Sequence, residues 1–558
     1  MGRVLVIGVD AMEVSCADRL IEASLLPSLA DHRTRAARVL LEHGPAQRTG
    51  LGWEHFWSGL DPDAAGRGTA VEFDPATYRV WQAGARFSPF FGDLARETVV
   101  FDTPYADLER APDLRGVVAW GAHDPGIDGG PWSRPTELLD EFRARFGDYP
   151  ATRWTYAVPW GSAELCREMG EELCAGIEAR SAGARWLLGE RFRDWELAMV
   201  VVSELHSGTE AMWHGVDPDH PLYHHPSAGA AADALRALYQ RTDRMIGDLV
   251  DAVDASVVIV FGMGGMGPNT ADVTSMLLLP ELMYRWSTGN QLLTVPDAWA
   301  TQPDGVPGLG DLDGWATRWQ RDWYPSAPDT GPAGPNGRIG RDERRLRAPA
   351  WLPMGARRLV RKVVPAPTHP RPTGHMPLDW QPTTWYRPHW PEMKAFALPS
   401  FYDGRIRVNL RGREAQGIVN RDDYMTVCDE IEEMVRECTN PRTGESVVAD
   451  VHRGAGTDPR ALDSSESDLT VVWQGDTNAL AHPRHGVVGP VPHRRTGGHT
   501  GPHGFAWITG PGFEPGDYGV ASSFDVAPTI LELFSRSATG LSGTSLLDRL
   551  NHSGVPAH

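Results

Sequence analysis

Five side chains of this sequence could together bind a metal ion and attack an ester. Asp10 follows an aliphatic run, Thr49 lies in a glycine-broken turn, and His499 lies in a glycine-rich loop. His206 and Glu210 are four positions apart and follow another apolar run. Imidazole nitrogens and carboxylate oxygens are ligands of zinc, and a threonine hydroxyl becomes a nucleophile when a base or a cation activates it. These residue types are compatible with metal-assisted hydrolysis.

Each of these residues also has a structural interpretation. Asp10 and Thr49 are of types that cap helices, and either could do only that. His206 and Glu210 have the spacing of a surface pair on one helix face. His499, flanked by glycines in a loop, has little to pack against, so metal binding is the stronger interpretation there.

The elements that would position these residues are buried strands. Apolar runs at 4–9, 98–102, 116–120 and 197–202 are separated by helical patterns. Further strands are predicted at 256–261, 405–410, 468–473 and 505–509, and helices at 14–42, 161–193, 227–252, 421–438 and from Asp525 onward. Strands alternating with helices indicate an α/β fold with a mostly parallel sheet sandwiched by helices. In such sheets ligands bind at the carboxyl ends of the strands.

Two stretches resemble the alkaline phosphatase superfamily, in its type I phosphodiesterase/nucleotide pyrophosphatase branch. Residues 4–13 read Val-Leu-Val-Ile-Gly-Val-Asp-Ala-Met-Glu, and residues 48–62 read Arg-Thr-Gly-Leu-Gly-Trp-Glu-His-Phe-Trp-Ser-Gly-Leu-Asp-Pro. The resemblance extends from the first strand to Ile530 and is weakest across 290–395. It implies an alkaline-phosphatase-like fold, with Thr49 as the nucleophile that forms a phosphothreonine and Asp10 as a ligand of the ion beside it.

The sequence departs from the family pattern at two places. Where the family has Asp-x-x-x-His after a strand, this chain has His206 and Glu210, the same spacing with acid and imidazole exchanged. Where the family has Asp-His before Gly-Met-Gly, this chain has Met263 and Gly264, which cannot bind a hard cation. The resemblance then implies one divalent ion rather than two. The ion is expected to be zinc, with manganese or magnesium as alternatives.

The predicted site residues follow from these motifs. The metal set is Asp10, Thr49, His206, Glu210 and His499. The substrate-binding set is Arg48, Trp53 and His503, of which Arg48 would supply positive charge in place of the lost ion.

The middle of the chain differs from the rest in composition and in hydrophobic periodicity. Residues 286–395 are dense in proline, tryptophan and arginine and sustain no period, which indicates an insertion or cap. The predicted organisation is an α/β core in two parts, 1–285 and 396–558, interrupted by this cap.

Composition limits the classes of partner. The formal net charge of −20 argues against a nucleic-acid scaffold or an anionic membrane surface as the main partner. Five scattered cysteines contain no CxxC pair, and the N-terminus has no long apolar stretch. We expect a cytoplasmic protein that acts on a small phosphorylated molecule. The arginine-rich, lysine-poor composition suggests a bacterial source. The protein could form a homodimer.

The predicted activity is metal-dependent hydrolysis of a phosphodiester or phosphomonoester through a threonine nucleophile. One alternative is a catalytically impaired homologue, or pseudoenzyme, that binds a phosphorylated ligand or acts as a scaffold. Another is a phosphonate or sulfate ester hydrolase, although the chain lacks the Cys-x-Pro-x-Arg motif of formylglycine sulfatases.

Overall fold

The chain is built around one large twisted sheet between two layers of helices. The computed structural model describes residues 2–122, 131–155, 161–295, 297, 375–454 and 458–551. The strands are β1 (Val4–Val9), β2 (Ala37–Glu42), β3 (Val71–Asp74), β4 (Arg79–Ala83), β5 (Thr98–Phe101), β6 (Arg115–Val118), β7 (Trp132–Arg134), β8 (Leu197–Val202), β9 (Val257–Gly262), β10 (Gly265–Pro268), β11 (His375–Pro377), β12 (Ala395–Leu398), β13 (Gly404–Val408), β14 (Val448–Arg453), β15 (Leu469–Trp473), β16 (Leu480–His482), β17 (Gly486–Val488), β18 (Gly497–Gly501), β19 (Gly504–Thr509) and β20 (Gly516–Ser522).

The α-helices flank the sheet and fill the crossovers between its strands. They are α1 (Val14–Glu22), α2 (Pro27–Arg35), α3 (Gly52–Ser58), α4 (Pro62–Ala65), α5 (Leu138–Phe146), α6 (Ala163–Trp186), α7 (Glu204–Met212), α8 (Ala228–Ala252), α9 (Leu279–Thr288), α10 (Tyr424–Arg436), α11 (Val526–Leu533) and α12 (Leu547–Asn551). None of the helices in the described part of the chain is long and apolar enough to cross a membrane.

The main sheet has nine strands in the order β20-β2-β19-β9-β1-β8-β5-β6-β7. Five of the eight neighbouring pairs are parallel, including both neighbours of β1. The prediction of an α/β fold with a mostly parallel sheet between helices is confirmed.

Both faces of the sheet are buried, which explains the unbroken apolar run of β1. Leu5, Ile7 and Val9 pack into one hydrophobic cluster with α6 and α8, whereas Val4 and Val6 pack into a second cluster on the opposite face. Successive side chains of a strand point to opposite faces, so a strand covered by helices on both sides has apolar residues at every position.

A smaller antiparallel sheet forms a separate layer beside the main sheet. Its strand order is β12-β13-β15-β14, and α10 packs on it within a third hydrophobic cluster. The predicted division at 285 and 395 stays a prediction. Within 396–558, the strands from β12 to β17 stay outside the main sheet, whereas β19 and β20 return to it.

The predicted helix over 14–42 is wrong at its carboxyl end. The structure has α1 and α2 there, followed by β2, which pairs with β19 and β20. The buried positions of β2 alternate from Ala37 to Leu41, which is the period of a strand. The helical pattern of the preceding residues runs directly into this segment and hides its period. Most of the predicted cap, residues 298–374, lies outside the described residues.

Candidate metal and active site

Three predicted metal ligands meet at the carboxyl edge of the main sheet. Asp10 follows β1 directly, and His206 lies in the first turn of α7, which follows β8. Because β1 and β8 are parallel neighbours, with Val9 opposite Val202, their ends bring these two residues together. His499 comes from β18, which pairs with β10 just beyond the end of β9, the other neighbour of β1.

The ligand atoms of Asp10, His206 and His499 all lie within 4.8 Å of one another. The Nδ1 atom of His206 is 3.6 Å from a carboxylate oxygen of Asp10. The Nε2 atoms of His206 and His499 are 2.9 Å apart. His206 and Asp10 are buried and His499 is half-buried, so the group is shielded from water yet reachable.

The donor set fits a divalent cation. Two imidazole nitrogens and one carboxylate oxygen are a known ligand set of catalytic zinc, with a position left for water or substrate. The structure therefore places a candidate site for one divalent metal ion at Asp10, His206 and His499.

Glu210 lies beside this group but is held by an arginine. Its Oε1 is 3.2 Å from His206 Nε2 and also accepts a short hydrogen bond from Arg495. Arg495 in turn forms a bidentate ion pair with the buried Asp272, at 2.7 and 2.9 Å, and Arg494 reaches the same carboxylate at 2.7 Å. Burial alone would raise the pKa of Asp272, but the two guanidinium groups outweigh it and hold that pKa below its usual value.

Arg495 thus brings a buried positive charge close to the metal group. The same ion pairs raise the pKa of Arg495 well above its ordinary value against the opposing effect of burial. Sequence reasoning missed this residue, although two consecutive arginines shortly before His499 are a visible signal. The carboxylate of Asp272 is bound by these two arginines. The side chain of Asn269, nearby in sequence, is also occupied, since its amide nitrogen donates to the carbonyl of Gly497 at 3.1 Å.

Met263 and Gly264 line the same cavity as the metal group. This cavity of about 70 Å³ is bounded by Asp10, Ala11, His43, Gln47, Gly50, Gly52, Trp53, Tyr105, His206, Met263, Gly264, Tyr402 and His499. The positions at which the family pattern has two ligands therefore do face the site, and here they present a thioether and a bare backbone. Among the described residues, Asp10, His206 and His499 form the one group that could hold an ion.

Gln47 is a second residue that sequence reasoning missed. Its amide nitrogen lies 2.8 Å from the carbonyl oxygen of His499, 3.0 Å from that of Gly501 and 3.4 Å from that of Gly265. The side chain fastens the turn that precedes Thr49 to the β10–β18 pair. A glutamine in a turn carries no periodic signal, so only the folded chain shows its role.

Thr49 lies on the same turn but borders a different cavity. It ends a 3₁₀ helix, Gly44–Thr49, and Gly50 follows in the left-handed conformation at φ 72°. The Thr49 hydroxyl donates to the carbonyl of Ala46 at 2.8 Å and accepts from the Leu51 amide at 3.1 Å. Thr49 does not line the metal cavity, and its role as nucleophile and metal ligand stays a prediction.

The three predicted substrate-binding residues do not line one common cavity. The Nε of Arg48 donates to Asp403 at 3.1 Å, and both residues line the same cavity as Thr49. Trp53 is buried, packs edge-on against Phe56 and borders the metal cavity. His503 lies between β18 and β19, half-buried, outside the lining of that cavity.

His43 adds a neutral imidazole to the metal cavity. Its Nε2 is 3.2 Å from Nδ1 of His55, and its Nδ1 contacts the hydroxyl of Ser523. Burial lowers the pKa of His43 to about 4. The ring is therefore uncharged near pH 7 and does not compete electrostatically with a bound cation.

Comparison with known proteins gives matches among solved structures. No protein-family model matches this sequence, and no curated protein matches it. A mutant of the alkaline phosphatase PafA aligns at 10% identity over 98% of this chain and 99% of its own, with a TM-score of 0.49. An inactive variant of murine ectonucleotide pyrophosphatase/phosphodiesterase 5, in complex with AMP, aligns at 11% identity over 99% and 100%, with a TM-score of 0.44.

A third match is a phosphonoacetate hydrolase. The enzyme from Sinorhizobium meliloti 1021 in complex with phosphonoacetate aligns at 13% identity over 94% of each chain, with a TM-score of 0.43. Its complex with phosphonoformate aligns at 18% identity over 51% of this chain and 62% of its own, with a TM-score of 0.32. All of these structures belong to the superfamily that the sequence resembles.

Proposed function

We propose that this chain is a metal-dependent hydrolase of phosphoric or phosphonic esters, of the alkaline phosphatase superfamily, that uses one divalent ion. The observation that carries the proposal is the group of Asp10, His206 and His499, gathered at the carboxyl edge of a mostly parallel sheet. This is where open α/β sheets bind their ligands. The matched structures include an alkaline phosphatase and a phosphonoacetate hydrolase.

In this proposal Asp10, His206 and His499 hold the ion, with zinc as the first candidate and manganese or magnesium as alternatives. A bound divalent cation would neutralise phosphoryl oxygens and stabilise charge that develops during displacement. Glu210, fixed by Arg495, lies with its Oε1 3.2 Å from His206 Nε2 and so limits the movement of that ring. Arg495 and Arg494 form ion pairs with Glu210 and Asp272, so the charges of this network beside the ligands balance.

Thr49 is the proposed nucleophile. Its oxygen would form a bond to phosphorus while the bond from phosphorus to the leaving oxygen breaks. The hydroxyl proton of Thr49 would pass to solvent water, and the leaving oxygen would take up a proton from solvent and depart as the alcohol. A water molecule would then attack the phosphorus, the bond from phosphorus to the Thr49 oxygen would break, and Thr49 would regain a proton as that water loses one. For this the hydroxyl must release the carbonyl of Ala46, to which it now donates. The assignment rests on the match of residues 48–62 to the family motif.

A specific observation favours the second candidate, a pseudoenzyme that binds a phosphorylated ligand or acts as a scaffold. Met263 and Gly264 stand in the wall of the metal cavity where the family pattern has two ligands, and Thr49 borders another cavity. A protein with this arrangement could keep the ion and the ligand while its hydrolysis is lost.

Metal content and hydrolysis measured on the same preparation test the proposal. We expect elemental analysis of protein purified without chelator to find about one zinc or manganese ion per chain. Hydrolysis of bis-p-nitrophenyl phosphate or p-nitrophenyl phosphate should then be abolished by Thr49→Ala, with the ion retained. His499→Ala should remove both the ion and the activity, since it deletes one of three protein ligands.

The matched control is His452→Asn, which changes an exposed imidazole outside the site. It should keep the ion and full activity. An ion bound without any hydrolysis in the wild-type protein would favour the pseudoenzyme. A metal content unchanged by His499→Ala would contradict the assigned site.

A further inference from the structure

A cavity much larger than the metal cavity lies on the other side of the turn that contains Thr49. It measures about 440 Å³, and Arg48 and Thr49 form part of its wall, whereas Gln47 and Gly50 of the same turn face the metal cavity. The opposite wall comes from the small antiparallel sheet and its connections, through residues such as Asp403, Arg405 and Thr470. The cavity therefore lies between the main sheet's loops and the smaller sheet, a common location for ligand sites.

The lining of this cavity is unusual in its chemistry. Its side chains carry carboxylates, guanidinium groups and hydroxyls, and the described lining residues include no aromatic and, apart from two prolines, no aliphatic side chain. Ligand pockets are more often lined by apolar groups. Among the described lining residues no aromatic side chain offers a face to a nucleobase or a nitrophenyl ring, whereas the carboxylates and hydroxyls offer acceptors to a ligand with many hydroxyl groups.

The charges of the lining disfavour a second anion site. Four carboxylates, those of Asp63, Asp403, Asp463 and Glu466, face three guanidinium groups. Two of these guanidinium groups are already paired, Arg48 with Asp403 and the buried Arg67 with Glu54. A phosphate would meet an excess of negative charge, but a neutral hydroxyl can donate to a carboxylate.

We propose that this cavity binds the alcohol part of the substrate, and that this alcohol is a sugar or polyol. The phosphoryl group would lie at the turn of Thr49, toward the metal cavity, and the hydroxyl groups of the alcohol would donate to Asp463 and Glu466. Three observations support the proposal: the turn of Thr49 borders both cavities, the lining combines hydroxyls with carboxylates, and its described residues include no aromatic side chain. The inference rests on the proposed function, because it assigns Thr49 to the reacting centre.

Binding to the full-length Thr49→Ala protein, loaded with zinc, tests the proposal without requiring turnover. Isothermal titration calorimetry would compare α-D-glucose 1-phosphate and sn-glycerol 3-phosphate with p-nitrophenyl phosphate and inorganic phosphate. We expect at least one of the two polyol phosphates to bind about 10-fold more tightly than inorganic phosphate, through hydrogen bonds from its hydroxyls. The double change Asp463→Asn and Glu466→Gln should abolish most of that advantage, measured as the ratio of the affinity for the polyol phosphate to the affinity for inorganic phosphate.

The matched control, Asp422→Asn, alters an exposed acid outside the cavity and should preserve the preference. If neither polyol phosphate binds more tightly than inorganic phosphate, or if the double variant retains the preference, the proposal is overturned. This outcome is distinct from failure of the proposed function. The latter would show as absent hydrolysis in wild-type protein, whereas the preference is measured by binding alone.

Discussion

At the scale of single residues, the decisive feature is the side chain that holds Glu210. The acid has the sequence spacing of a metal ligand to His206, yet in the folded chain it is the shared partner of that imidazole and Arg495. Arg495 is itself part of a buried network with Asp272 and Arg494. Buried charges are tolerated when each is paired, so the network is sensitive to loss of any member.

Replacing Arg495 by methionine is predicted to destabilise the protein strongly. The change leaves the Glu210 carboxylate buried without its cation and removes the bidentate partner of Asp272. We expect a loss of about 3 kcal/mol or more in the free energy of unfolding, measured by urea titration. The control is Arg436→Met, which breaks exposed pairs with Glu432 and Asp450 and should cost less than about 1 kcal/mol. Equal losses in the two variants would contradict the role assigned to the buried network.

At the scale of elements, the site depends on the close approach of two glycine-rich strands. In the β10–β18 pair, Gly265 is opposite Gly501 and Gly267 is opposite Gly498, and this pairing brings His499 to the ends of β1 and β8. Glu13, at the start of α1, fixes the arrangement by accepting from the backbone amide of Met266 at 2.7 Å. Glycine is required where backbones approach this closely, because a Cβ atom would overlap the neighbouring strand.

Gly265→Ala is therefore predicted to disrupt the metal site. A Cβ at this position would lie 2.7 Å from the carbonyl oxygen of His503 and 3.0 Å from the carbonyl carbon of Gly501. Both are backbone atoms, so the strands must move apart, and we expect a loss of about 2 kcal/mol or more in unfolding free energy. Zinc affinity, measured by competition with a chromophoric chelator, should fall with it.

The control for this change is Gly229→Ala near the start of α8, where a Cβ would meet no atom within 4 Å. Alanine is favoured over glycine in helices, so this variant should be as stable as the wild type or slightly more stable. Unchanged zinc affinity in Gly265→Ala would show that the spacing of the two strands does not position His499.

At the scale of the whole molecule, buried imidazoles in loops between the layers tie stability to pH. Burial lowers the pKa of His214 to about 3 and that of His220 to about 4, with neighbouring imidazoles adding to the shift. Burial also lowers the pKa of His493 and His43 to about 4. Asp476 opposes them, since burial raises its pKa to about 6.

Stability is predicted to fall as the pH is lowered from about 6.5 to 4. In this range the unfolded chain binds more protons at these histidines than the folded chain, so the free energy of unfolding rises with pH. Asp476 acts in the opposite direction between about 6 and 4, but one carboxyl group is outweighed by four imidazoles. Each fully buried imidazole contributes up to about 1.4 kcal/mol per pH unit. The melting temperature measured at pH 7, 6 and 5 checks this.

Two variants identify the histidines responsible. His214→Gln should flatten the pH dependence, because it removes a buried ring that contacts Ser227 at 3.0 Å and Thr496 at 3.3 Å. His224→Asn changes an exposed neighbour in the same loop and should leave the slope as it is in the wild type. A melting temperature that is constant from pH 7 to 5 would contradict the prediction.

The sequence by itself determined eight of the twenty described strands, the class of fold and three of the metal-binding candidates. Uninterrupted apolar runs such as 4–9 and 197–202 identify strands buried on both faces, and a polar residue just after such a run is placed at the ligand-binding edge. Asp10, His206 and His499 were recognisable because their types and positions after strands or between glycines are local properties.

Only the tertiary structure decided which of these residues meet and what else reaches them. The order of strands sets β8 and β9 on either side of β1, joins residues more than 190 positions apart and makes β2 a strand rather than a helix. It also assigns Glu210 to Arg495, places Gln47 against His499 and turns Thr49 toward the larger cavity. Local patterns report the periodicity of burial, whereas the partner of a charged or polar side chain depends on long-range packing that no single stretch encodes.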